Sequence, residues 1–292
     1  ESLNQNGHYL AMNSAASSLN SLAATSFSIS GLQMLHRSKE VITKIQRDGD
    51  TDYISGILKN IHAKMSCEPY KIFTACSPGA VGDKAKEFQN LLSSNAQELI
   101  KPLNTQIAWI TGSQVCYCAQ AFEGVSREHP DAAPLSVLAT VLRNGFLHTA
   151  IREKGGAYGA GAANDTSTNT FKLFSYRDPK CRETFQAFQD AIEWAKNSIT
   201  PQHLEEAILG VISSIDKPLS PVGEAKNDFN YNLESIGIKE RLEMRQKVIR
   251  CSIDDLIRVN ETYLTKESRK SILAGESFKA QAEELGLKIL EV

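Results

Sequence analysis

The stretch TAIREKGGAYGAGAAND, residues 149–165, decides how the second part of this chain folds. It closes a long apolar pattern in which Leu135 and Leu138 recur at helical spacing. Gly155 and Gly156 then end the helix, because glycine readily adopts the left-handed conformation found at a helix C-terminus. The AYGAGAAND and TFKLFSYR segments that follow flank a turn rich in Ser, Thr and Asn. The stretch therefore predicts a helix that leads directly into a β-hairpin.

Two side chains stand out within this stretch, Arg152 before the glycines and Tyr158 after them. Arg152 falls in the last turn of the helix, where a cation also suits the helix dipole. Tyr158 opens the next strand, and Gly159 and Gly161 beside it would let another backbone approach closely. The residues alone are compatible with a plain capped helix and a half-buried tyrosine, or with a pair that binds a ligand.

The remaining pattern of the second part predicts an α+β fold. Residues 106–125 hold one or two strands, residues 131–154 a long helix and residues 181–264 several more helices. The segments SILAG and LKILEV read as closing strands. We expect helices packed on a largely antiparallel sheet, in two layers.

The first part of the chain has a different pattern. Residues 8–47 read as helices, and the only convincing strand is YKIFTACSP, at residues 70–78. One strand cannot make a sheet. We therefore expect residues 1–97 to be either mainly helical or a truncated domain whose leading strands are missing.

Composition excludes several classes of protein. The 292 residues are 41% hydrophobic and 23% charged with a formal net charge of -2, which predicts a globular chain without an electrostatic reason to bind nucleic acid. No apolar run is long enough to span a bilayer, so no membrane partner is expected. The chain opens at Glu1 without Met or a signal pattern, which suggests a fragment or a processed product. Cysteine usage favours an intracellular compartment, such as a bacterial cytoplasm or an organelle matrix.

No complete catalytic constellation is found in the sequence. Gly159-Ala160-Gly161 gives G-x-G, but a helix precedes it and a strand follows, which is the wrong order for a dinucleotide loop. The six histidines form no H-E-x-x-H or H-x-x-E-H, and no G-x-S-x-G occurs. Cys116 and Cys118 share one face of a strand; we interpret them as small buried hydrophobes rather than metal or redox groups. We therefore expect no metal site and no cofactor in this chain.

Three motifs carry a resemblance to a known family. LHTAIREKGGAYGAGA (147–162) resembles the C-terminal signature of pitrilysin-type zinc metallopeptidases, the inverzincins, in their presequence-protease and falcilysin branch. GHYLAMNSAASSLNSLAATSFSISGLQML (7–35) and SSIDKPLSPVGEA (213–225) resemble the same branch. The similarity runs over nearly the whole chain.

The resemblance implies an architecture. In this family four domains of the LuxS/MPP-like metallopeptidase fold form two halves that close around an unfolded peptide, and the zinc motif lies in the first domain. Residues 1–97 would be a partial third domain without its leading strands, residues 98–104 a linker and residues 105–292 the fourth domain. Zinc is then expected in the missing N-terminal half.

The resemblance also implies roles for individual residues. Arg152 and Tyr158 occupy the positions of the Arg and Tyr that hydrogen-bond the bound peptide near the scissile bond. The glycines expected to provide the hinge and the close backbone approach are Gly155, Gly156, Gly159 and Gly161.

Two functions from different classes remain open. The chain is either the substrate-clamping half of a zinc metalloendopeptidase for short unstructured peptides, inactive alone, or a non-catalytic subunit or scaffold that pairs with an active chain. Its expected partners are an unstructured peptide and either the N-terminal half of the same protein or a homologous active chain. The presence of Arg152 and Tyr158 favours the first function, because a scaffold would not require them.

Overall fold

The structure is a computed structural model that describes residues 2–49, 51–67 and 99–292. The strand predicted at residues 70–78 lies outside the described residues. Two compact units are formed. The first contains residues 2–36, 99–216 and 242–292, and the second contains the described residues between 37 and 67 together with residues 217–241.

A six-stranded sheet is the framework of the first unit. Its order is β3-β4-β2-β5-β1-β6; β1 is parallel to β5 and β6, and the other pairs are antiparallel. The largely antiparallel sheet confirms the predicted α+β class. The strands are β1 Ile107–Thr111, β2 Tyr117–Glu123, β3 Gly159–Asp165, β4 Thr170–Tyr176, β5 Arg269–Gly275 and β6 Lys288–Glu291.

Helices account for most of the other described residues. Residues Arg143–Glu153 continue α5 and Asn260–Leu264 continue α10, both with π-helical geometry, and Glu276–Phe278 form a short 3₁₀ turn. The helices are α1 Ser2–Ala16, α2 Ser21–Ser30, α3 Leu32–Asp48, α4 Asp52–Cys67, α5 Ala132–Leu142, α6 Arg182–Asn197, α7 Pro201–Ile215, α8 Pro221–Leu233, α9 Ile238–Ile249, α10 Ile253–Val259 and α11 Lys279–Glu284.

Helix starts follow local chemistry that can be read from the sequence. The Thr200 hydroxyl accepts a bond from the His203 N–H, and Pro201 occupies the first helical position, where its missing N–H costs little. Ser220 and Ser252 cap α8 and α10 in the same way. These caps satisfy donors that a helix N-terminus otherwise leaves unpaired.

The sheet of the first unit is covered on both faces. Alternate strand residues such as Cys118, Phe122 and Ile272 belong to a core with α5, α6 and α10. Their neighbours in the sequence, such as Tyr117 and Leu273, join a second core with α1 and α2. This alternation follows from the two-residue period of a strand.

Helix α1 is held to the sheet by polar as well as apolar contacts. The Trp109 indole N–H donates to Ser14 Oγ at 2.8 Å. Ser271 Oγ lies 2.9 Å from Ser14 Oγ and donates to the Ile107 carbonyl at 2.7 Å. The compact units therefore differ from the boundaries expected at residues 97 and 105, because α1 and α2 pack with the sheet of the second part. The assignment to a third and a fourth peptidase domain stays a prediction.

An ion pair between a buried lysine and a half-buried aspartate lies near the tip of the β3–β4 hairpin. Lys172 Nζ lies 2.7 Å from Asp165 Oδ2, and the Lys172 side chain is 5% exposed. Burial alone would raise the pKa of Asp165, but the Lys172 ammonium and bonds from Ser167 and Thr168 together lower it to about 2.

This pair makes the stability of the first unit depend on pH. Because the pKa of Asp165 is lower in the folded chain, its contribution is fully present above the ordinary value of 3.8 and is lost as the pH falls toward about 2. We expect the destabilisation caused by Asp165→Asn, measured by urea unfolding, to be constant above about pH 5 and to shrink below it. The same change at exposed Asp190 is the control, and parallel pH profiles for the two variants would contradict the prediction.

Candidate functional site

Arg152 and Tyr158 lie on either side of the turn that joins the α5 extension to β3. Arg152 is in the last turn of the π-helical segment, and Tyr158 directly precedes Gly159, the first residue of β3. The Tyr158 N–H donates to the Tyr176 carbonyl at 3.1 Å, which fixes the tyrosine at the start of the hairpin. Both side chains are exposed, with 67% of Tyr158 accessible.

Glycine is required at positions 155 and 156 of the turn for two different structural reasons. Gly156 has φ +85°, and its N–H donates to the Arg152 carbonyl at 3.1 Å. A left-handed glycine of this kind ends a helix without steric cost. Gly155 has no positive φ; a Cβ there would lie 2.3 Å from the Ile151 carbonyl oxygen. The turn therefore needs glycine at both positions.

The two glycines of β3, Gly159 and Gly161, differ in the space that surrounds them. A Cβ at Gly161 would lie 2.9 Å from the Phe174 ring. At Gly159 the nearest atom to an added Cβ would be Tyr176 Cβ at 3.9 Å, which is ordinary contact. The close neighbour of Gly161 is therefore a phenylalanine ring rather than a backbone, and Gly159 has no neighbour of comparable closeness. The approach of another backbone to these glycines stays a prediction.

Substitution of these glycines gives a stability prediction. Gly155→Ala should destabilise the chain by about 1–3 kcal/mol, because the backbone around Ile151 would have to shift. Gly159→Ala should change stability by less than about 0.5 kcal/mol, since its site has room for the methyl group. Thermal melting of the two variants tests this, and equal shifts would contradict it.

Arg152 and Tyr158 line one pocket of about 710 Å³. Its charged groups include two guanidinium groups and one carboxylate, so the pocket favours an acceptor or an anion. The lining residues are His148, Arg152, Glu153, Gly156, Ala157, Tyr158 and Arg177.

His148 orients Arg152 within this pocket. The Arg152 Nη1 lies 2.9 Å from His148 Nε2, and His148 Nδ1 lies 3.4 Å from Glu153 Oε1. Because a guanidinium can only donate, His148 Nε2 accepts this bond. The other ring nitrogen of His148, Nδ1, faces the Glu153 carboxylate. Arg152 therefore has one bonded N–H and further donors available to a ligand.

Tyr158 is oriented by neighbouring aromatic rings. Its ring meets the Tyr176 ring edge to face, with centroids 5.5 Å apart. Tyr176 in turn contacts His8, at a centroid distance of 4.9 Å, the Tyr117 ring at 5.7 Å, and the Arg177 guanidinium, 5.5 Å from the ring centre. Burial lowers the pKa of His8, so a neutral imidazole supports this cluster at neutral pH.

Sequence reasoning missed His148, Tyr176 and Arg177. His148 could have been noticed, because it lies four residues before Arg152 on one helical face. The position of Arg177 depends on hairpin register, in which Gly159 pairs with Tyr176, and on its own positive φ of 48°. Neither can be read from periodicity.

No metal-ligand group suited to peptide hydrolysis is found among the described residues. There, donor atoms of His, Cys, Asp and Glu come together in threes only at Cys116, Cys118 and Cys181. All three are buried. A catalytic zinc needs an open coordination position for water or substrate, so these residues do not fit one.

The two cysteines noticed in the sequence have a third partner. The Cys116 and Cys118 sulfurs lie 3.6 Å apart, and the Cys116 thiol donates to the Lys180 carbonyl at 3.0 Å. Hydrogen bonds from Cys116 and Cys118 lower the pKa of Cys181, whereas burial raises the pKa of Cys118. The approach of Cys181 depends on tertiary packing and could not have been foreseen from spacing.

The fold is shared with solved peptidase domains. A protease from Helicobacter pylori superposes with a TM-score of 0.53 and 18% identity, over 65% of this chain and 50% of that one. A peptidase M16 inactive domain from Pseudomonas fluorescens gives a TM-score of 0.53 and 16% identity, over 65% of this chain and 49% of that one. The architecture is therefore that of M16-type peptidase domains.

Sequence comparison narrows this class to one family. The profile of the PreP C-terminal domain matches residues 113–274, more than half of the chain, and the chain belongs to that family. Relatives are named as mitochondrial presequence proteases. The Eremothecium gossypii protein is 39% identical over 53% of this chain and 16% of its own length. The Kluyveromyces lactis protein is 28% identical over 94% of this chain and 29% of its own length.

The chain thus spans less than a third of the length of these relatives. Within the part that the structure describes, no helix has both the length and the apolarity needed to cross a membrane.

Proposed function

We propose that this chain is the substrate-clamping C-terminal half of a zinc metalloendopeptidase that degrades short unstructured peptides in a closed chamber. One observation carries the proposal: exposed Arg152 and Tyr158 line the same pocket in a member of the PreP C-terminal domain family. Zinc and its ligands would come from the N-terminal half, because the described residues here do not fit a catalytic zinc. A mitochondrial location is proposed by analogy with the named relatives.

The pocket suits a polypeptide backbone. Arg152 and Tyr158 can each donate a hydrogen bond to a peptide carbonyl oxygen. Such donors matter most where the oxygen gains negative charge in the transition state, because they are already oriented before the reaction. His148 and Tyr176 would hold the two donors in place and thereby limit the entropy lost on binding.

A second candidate function is a non-catalytic subunit that pairs with an active chain. It is favoured by the lack of a His and carboxylate cluster among the described residues. In that case the pocket would bind peptide without needing to stabilise a transition state. Mutation of the pocket would then weaken binding and leave the turnover of the partner unchanged.

The isolated chain gives a direct test. With added zinc it should leave an extended fluorogenic peptide intact, because hydrolysis requires a metal-activated water and a base. Co-expression with the N-terminal half should give cleavage that a chelator abolishes. Chelator-sensitive cleavage by the chain alone would contradict the proposal, as would an inactive reconstituted pair that still binds peptide, which would favour the second candidate.

A further inference from the structure

A buried cluster of three thiols lies in the first unit, and the proposed function makes no use of it. Cys116 and Cys118 come from the start of β2, and Cys181 is the N-cap residue of α6. Their three sulfur atoms all lie within 4.8 Å of one another, and the residues are fully buried. Three of the chain's six cysteines, from segments more than 60 positions apart, therefore meet at one point in the core.

The distance between the sulfurs is close to the distance between thiolate ligands that bind one metal ion. A metal–sulfur distance of about 2.3 Å places neighbouring sulfurs about 3.8–4.0 Å apart in tetrahedral or trigonal geometry. The Cys116 and Cys118 sulfurs are 3.6 Å apart, and the Cys181 sulfur lies within 4.8 Å of both. Small rotations of the side chains would therefore bring all three into coordination.

The start of α6 favours negative charge on the Cys181 sulfur. Cys181 is the N-cap residue of a helix of 16 residues, whose N-terminal N–H groups favour a thiolate. A buried thiolate otherwise carries a large desolvation cost, and the helix start offsets part of it.

We propose that Cys116, Cys118 and Cys181 form a closed binding site for a thiophilic metal ion, Cu(I). Soft thiolates select Cu(I) or zinc. Among the described residues no fourth His, Asp, Glu or Cys donor joins the three sulfurs, whereas structural zinc almost always has four ligands. Each thiol that binds the ion releases its proton to solvent, and the bound ion links β2 to the start of α6.

The test uses a variant of the full chain that keeps only the cluster's thiols, Cys67→Ser/Cys76→Ser/Cys251→Ser. It is produced in copper-supplemented cells, purified under reducing anaerobic conditions and challenged with the Cu(I) chelator bathocuproine disulfonate. About one Cu(I) per chain should be retained, and its removal should lower the melting temperature, because a metal held by the folded state stabilises it. A parallel preparation with zinc should retain none against a zinc chelator.

Two further variants separate metal binding from folding. Cys118→Ala and Cys181→Ser, each in the same background, should lose the copper while circular dichroism shows a folded chain. If Cys118→Ala fails to fold, Cys181→Ser still decides, since its site lies at a helix start. Copper that is absent from the background variant, or retained equally by both cluster variants, would overturn the proposal. Retention of zinc in preference to Cu(I) would refute a three-coordinate site.

Discussion

In the reconstituted pair of halves that the proposed function requires, Arg152→Ala is expected to lower kcat/KM for an extended peptide by about 10-fold to 100-fold. A charge-assisted hydrogen bond contributes about 1.5–3 kcal/mol, and each 1.36 kcal/mol corresponds to about a factor of ten in rate. Tyr158→Phe should lower kcat/KM by about twofold to tenfold, less than Arg152→Ala, because it removes a neutral donor worth about 0.5–1.5 kcal/mol. Both variants should lose kcat/KM, since the carbonyl oxygen accepts these bonds most strongly in the transition state.

The control for this prediction lies in the same turn. Lys154 is exposed and does not line the pocket, so Lys154→Ala should leave kcat/KM unchanged. Neither Arg152→Ala nor Tyr158→Phe should greatly lower the melting temperature, because both side chains are exposed. Unchanged kinetics would show that the pair only ends a helix and begins a strand. A lost activity accompanied by a collapsed melting temperature would indicate a structural role.

The ion pair of the β3–β4 hairpin should give the largest effect on stability. Asp165→Asn leaves the Lys172 ammonium without its anionic partner, and the lowering of the Asp165 pKa to about 2 implies a cost of about 2–3 kcal/mol. Replacing both groups, in Lys172→Met/Asp165→Asn, should recover most of that loss. The reason is that an uncharged pair of similar size avoids the desolvation cost of both ions.

A double-mutant cycle by urea unfolding at neutral pH measures this coupling. The cycle needs the two single variants, the double variant and the wild-type chain. If the double variant loses as much as the two single variants added together, the two charges do not interact and the prediction fails. A change at an exposed lysine such as Lys180, which is not part of the pair, should have little effect.

Much of the fold could be predicted because its signals are local. The Thr200–Pro201 helix start and the hairpin around residues 159–176 depend on residues a few positions apart. The position of Arg152 at a helix end and of Tyr158 at a strand start follows from the same local chemistry. These features need no knowledge of which strand neighbours which.

The features that could not be predicted all join distant segments. Ser14 meets Trp109 across 95 positions, so the sequence could not show that α1 would cover the second face of the sheet. Cys181 reaches Cys118 only because α6 starts against β2. Tyr176 and Arg177 reach the pocket through strand register. Periodicity reports which face of an element is apolar, but not which other element covers it.

The sheet order has a consequence for how this chain reaches its native state. Strand β1 lies between β5 and β6, which are formed by almost the last residues of the chain. During synthesis, β1 therefore emerges from the ribosome long before either neighbouring strand. The hydrogen bond between Ser14 and Ser271 can form only after another 257 residues have been added. Closing such long loops slows folding, and until then Trp109 and the apolar side of α1 are open to association with other chains. Chaperone dependence during translation should accordingly end only when β6 has been released.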